Sequence, residues 1–75
     1  MVYTYRVRTD MVEDEERLTH TVYGIEAVSD DGEILSSFSD VFADSRQAAR
    51  FADLCNDGGL SLMHFPYAVE DALAE

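Results

Sequence analysis

The chain has 75 residues, of which sixteen are Asp or Glu and five are Arg, with no lysine, so its formal net charge is −11. That balance argues against nucleic acid and anionic membrane surfaces as direct ligands, since phosphate recognition needs clustered Lys and Arg. An apolar fraction of 47% excludes a disordered acidic tail, and this length predicts a single domain, residues 1–75, whose core sits near the lower limit of independent stability.

The N-terminal stretch alternates. Tyr3, Tyr5, Val7 and Met11 share one parity, and Thr4, Arg6, Arg8 and Asp10 share the other. A period of two with β-formers on one side predicts a half-buried strand. Arg6 and Arg8 fall on its solvent side, where pairing with acids of a neighbouring strand is expected at roughly 0–1 kcal/mol per pair. Glu13-Asp14-Glu15-Glu16 then reads as a solvated connection, because no core holds four consecutive acids. Residues 19–28 predict a second strand, with Thr21, Tyr23, Ile25 and Ala27 on one parity and His20, Val22, Gly24 and Glu26 on the other. Both parities carry apolar residues, which marks a central strand covered in part on both faces. Gly24 inside it signals a bulge or a close backbone neighbour. Asp30-Asp31-Gly32 is a hairpin turn, and a short third strand is expected over about 33–38.

The period then changes. Asp44, with Gln47 three positions on, resembles a capping box. Ala48, Phe51, Ala52 and Cys55 recur at helical spacing with Leu54 at the edge of the stripe. Asn56-Asp57-Gly58-Gly59 closes that helix with glycine available for a left-handed cap. A second helix is expected from Phe65 or Pro66 to Ala74, with Phe65, Val69, Ala72 and Leu73 inward, Glu70 and Asp71 outward, and His64 capping it through its side chain. The element order β-β-β-α-α predicts an α+β fold: a three-stranded antiparallel meander followed by two short helices packed on one face.

No residue set for chemistry emerges, so no catalytic, cofactor-binding or metal-binding residues are assigned and no cofactor is expected. Cys55 could in principle pair with His20 or His64, but its place on an apolar stripe reads as a small buried hydrophobe. One cysteine and two distant histidines lack metal-ligand spacing, and residues 13–16 lack the alternation and glycine of a calcium loop. Glu70 and Asp71 are helix neighbours that point apart, and Gly58-Gly59 follows a helix without the lysine of a phosphate loop. A lone cysteine, the lack of a basic start with an apolar run, and the lack of roughly 18 consecutive apolar residues predict a cytoplasmic, non-membrane protein.

Tyr23-Gly24-Ile25, Asp40-Val41, Cys55-Asn56, Leu60-Ser61, His64-Phe65 and Val69-Glu70-Asp71 together resemble a small uncharacterised family, a domain of unknown function, of cytoplasmic proteins from Gram-positive anaerobic bacteria. The likeness runs from about Tyr3 to Leu73; it departs at Leu62, where such proteins often carry proline, and at Pro66. It implies a strand-rich half followed by two short helices, and no activity.

The expected function is therefore that of a small acidic protein-interaction or regulatory module without catalysis, its partner another protein or a second copy in a homodimer. An alternative is an acidic mimic of nucleic acid that blocks a basic protein groove, with Glu13–Glu16 and Asp30-Asp31 as its charge clusters. A cysteine-dependent enzyme ranks last. The plainer reading of the charge is solubility, or the composition of the proteome from which the chain comes.

Overall fold

The computed structural model describes residues 2–74. Strands β1 (Tyr3–Glu13), β2 (Thr19–Ser29) and β3 (Ile34–Phe42) precede helices α1 (Ser45–Asp57) and α2 (Phe65–Leu73). The strands form one antiparallel sheet in the order β1-β2-β3, so the expected α+β meander with two following helices is what the chain adopts. α1 lies across all three strands, and α2 packs against β3.

Parity decides the faces. Tyr5, Ile25 and Ala27 point toward the helices and meet Ala48, Ala52 and Cys55 of α1 and Phe65 and Val69 of α2. Phe65 is the centre of this core: its ring stacks edge-on against Tyr5 at 4.8 Å and Phe38 at 5.1 Å. On the opposite face Arg6 donates from Nε to the mostly buried Glu26 carboxylate on β2 at 2.7 Å, as its parity predicts. Arg8 departs from expectation. It forms two bonds to Asp10 of its own strand, at 2.7 and 2.8 Å, and donates a third to Ser37 Oγ of β3. Residues two apart share a face of a strand, which puts Asp10 within reach.

β3 is longer than the sequence pattern indicates, because Ser39 and Asp40 interrupt the alternation without ending the strand. Tyr23 pairs with Phe42 but Ile25 pairs with Phe38, so Gly24 alone faces residues 39–41, and Asp40 takes φ +55°. A Cβ on Gly24 would lie 1.9 Å from the Phe38 carbonyl oxygen. The glycine is there for this close approach, as its position in a strand indicated.

Since β3 pairs with β2 only from Tyr23 onward, β1 and β2 continue past the core as a two-stranded arm over 10–22. Met11, of inward parity, stands 69% exposed there because no helix covers the arm. The acidic run is not a loose connection. Glu13 belongs to β1, and Asp14 organises the turn: its Oδ1 accepts from the N–H groups of Glu16 and Leu18, and its Oδ2 meets His20 Nε2 at 2.8 Å. Arg17 closes the loop with φ +64°.

Candidate functional site

The helices are set by local signals. Asp44 caps α1 by accepting from the Arg46 N–H at 2.8 Å. Gly59, at φ +62°, supplies the left-handed residue after its end, and Leu60 N–H bonds back to Cys55 C=O. That pairing is the Schellman arrangement. The chain then turns through Ser61 into α2. Here His64 does not cap the helix with its side chain. Its Nδ1 instead meets Ser61 Oγ at 2.8 Å, tying the turn that precedes the helix.

This geometry leaves α1 and α2 apart from each other, each held by the sheet. Between them lies a groove of about 630 Å³. Val41 and Phe42 at the end of β3 form its floor, Phe51 and Leu54 one wall, and Ala72 and Leu73 the other. Phe42 and Phe51 pack in a tilted pair with centroids 5.5 Å apart, which fixes the floor against α1. Leu54 and Leu73 face solvent, 64% and 58% exposed. Gln47, Arg50 and Asp71 provide the groove's polar groups, and among the described residues Arg50 has no ion-pair partner. Asp53, Asp57 and Glu70 are exposed on the same two helices.

The sequence held both halves of this site without joining them. Leu54 was visible at the edge of one apolar stripe and Leu73 within another. Stripes imply burial, however, and only the separation of the two helices shows that these two side chains remain open.

The residues considered for chemistry stand elsewhere. Cys55 is buried in the core, burial pushes its thiol up from the ordinary cysteine range, and the surrounding cluster holds no histidine. A thiolate nucleophile needs the opposite environment. His20 is engaged on the arm by Asp14, whose carboxyl is held below its usual range by that bond first and by the Leu18 N–H second. Among the described residues no group of three His, Cys, Asp or Glu side chains is placed to hold a metal ion. The two acidic clusters of the mimic reading occupy opposite ends of β2, on the order of 30 Å apart for a strand of this length. They share no face. Among the described residues no helix is long and apolar enough to cross a membrane.

Neither the curated proteins nor the solved structures contain a match to this chain. A family model does match, over residues 1–75, and its description is a family of unknown function. The expectation of a domain of unknown function is met to that extent, and the protein belongs to the family of unknown function DUF6514.

Proposed function

We propose that the protein is a small interaction module, and that the groove between α1 and α2 receives an amphipathic helix with Lys and Arg beside its apolar face. The observation that carries this reading is the pair of exposed leucines, Leu54 and Leu73, on opposite walls of a groove floored by Val41 and Phe42. Open apolar side chains gathered in one concavity mark interaction sites, whereas scattered ones carry no such meaning. A groove with apolar walls suits the helix-in-groove mode, in which side chains at helical spacing act as anchors. Charge selects among such helices: a surface of net charge −11, with acids on both groove helices, attracts cations and repels acidic partners. Arg50 would then meet an acceptor at the end of the bound helix. No step of this reading uses catalysis or a cofactor, and it keeps the bacterial, cytoplasmic setting implied by the resemblance.

The test is selection from a displayed library of random helical peptides against the full chain. Wild-type protein is expected to enrich cationic amphipathic peptides, and Leu54→Asp or Leu73→Asp should weaken them roughly ten-fold or more, as loss of a central anchor does. Both leucines are exposed, so neither substitution burdens the core. Enriched peptides that are acidic, or that bind both variants as tightly as wild type, would overturn the reading.

A further inference from the structure

The free edge of β1 carries a second surface, independent of the groove. β2 pairs with one edge of β1. On the other, the Asn56 side chain accepts from the Tyr5 N–H and donates to the Tyr5 C=O, both at 2.8 Å. Those bonds show which way the backbone groups of Tyr5 point: away from β2. By the two-residue period of an antiparallel ladder, Val7, Thr9 and Met11 present their N–H and C=O groups outward as well. Among the described residues those groups have no hydrogen-bond partner. A row of this kind is a template for another strand.

The side chains along this row are self-complementary. Val7-Arg8-Thr9-Asp10-Met11, set antiparallel to itself with Thr9 opposite Thr9, puts Arg8 opposite Asp10 of a second copy and Val7 opposite its Met11. Arg8 and Asp10 already form a pair on one strand, so two copies make a square of alternating charges on the uncovered face. On the helix face, the exposed Met11 gains Val7 as a neighbour. Opposite charges set directly across a ladder stabilise it, and like charges destabilise it. The register is therefore selected. Moving the two-fold axis by one residue sets Arg8 against Arg8, or Asp10 against Asp10. At its other end the pairing stops at Val7, because Asn56 fills the next place beside Tyr5.

We propose that two copies of the chain associate through antiparallel pairing of β1, centred on Thr9, into one six-stranded sheet. The occupant of this edge is a second copy because the complementarity is internal to the strand, and it neutralises locally what the net charge opposes globally.

Sedimentation of the full chain from micromolar to near-millimolar concentration tests this, together with amide exchange. Wild type is expected to approach twice the monomer mass, with exchange at Val7, Thr9 and Met11 slowing as concentration rises. Arg8→Asp makes the square wholly acidic and should raise the dissociation constant roughly ten-fold or more. The double variant R8D/D10R reverses every charge, restores the alternation, and should return it to within roughly three-fold of wild type. Far-ultraviolet circular dichroism identifies any variant that has lost its fold, and the wild-type exchange profile stands without the variants. A chain that stays monomeric throughout would overturn the proposal. So would a dimer that survives Arg8→Asp but is lost in Leu54→Asp, which would place self-association in the groove.

Discussion

Asn56 does at one position what a neighbouring strand does along an edge: it satisfies both backbone groups of Tyr5 with one side-chain amide. Only an amide offers a donor and an acceptor in that arrangement. Asn56→Ala leaves both groups without a protein partner beside the core and should destabilise the fold by about 2 kcal/mol, read from the urea midpoint at unchanged slope. Asn56→Asp should be worse than alanine at neutral pH, because a carboxylate then faces the Tyr5 carbonyl oxygen. The Cys55-Asn56 motif was visible in the sequence, but its role was not, since the residue it serves lies 51 positions away. Tyr5 itself reports on the core. Burial, with smaller contributions from Tyr3 and Cys55, pushes its hydroxyl up to about 12 from 10.0. The unfolded chain therefore releases this proton first. The contribution is complete below pH 10 and is lost as pH rises toward 12. The chain has no lysine to titrate in that window. Tyr5→Phe should flatten the fall of the urea midpoint between pH 10 and 12, and a curve parallel to wild type would show that Tyr5 is not its source.

The strands divide into a covered part and an arm, and the division accounts for what the sequence disclosed and what it hid. Alternation marked β1 and β2, the glycine marked the close approach to β3, and Asp44 marked the start of α1. All of these depend on neighbours a few residues away. The length of β3 and the exposure of Met11 depend on where another element ends, which no local pattern encodes. Gly24→Ala should cost about 3 kcal/mol or more, since the new methyl meets the Phe38 carbonyl and the bulge cannot yield without moving β3. On the arm, Arg17 holds a left-handed conformation that glycine adopts without steric penalty. Arg17→Gly should therefore stabilise the hairpin by up to about 1 kcal/mol, seen as slower amide exchange over 10–22. Asp14→Ala removes the acceptor for two N–H groups and the contact with His20. It should speed exchange over the same residues while the β2–β3 pairing keeps its protection. Equal acceleration in both would mean that arm and core open together.

At the scale of the whole molecule the charge has separate local uses that do not cancel its sum. Asp44 caps a helix, Asp14 builds a turn, and Asp10 and Glu26 engage arginines, yet the chain remains at −11. Composition alone gave that total, but it could not separate the acids with structural work from those that only repel. Two effects of salt therefore oppose each other. Screening weakens the two arginine–carboxylate pairs, the Arg8–Asp10 pair more than Arg6–Glu26, whose carboxylate is mostly buried. Screening also relieves the mutual repulsion of a larger number of acids held close by folding, an effect that grows with the distance of net charge from zero. The second should dominate, because most of the sixteen acids have no cation beside them among the described residues. The melting temperature is expected to rise by several degrees between about 10 mM and 500 mM sodium chloride, with most of the gain below about 150 mM, where the Debye length shortens to about 8 Å. Arg8→Asp adds to the repulsion and removes a pair, so its melting temperature should climb more steeply with salt than that of wild type. Measured well below the concentration at which copies associate, a flat or falling trend would mean that the ion pairs outweigh the net charge.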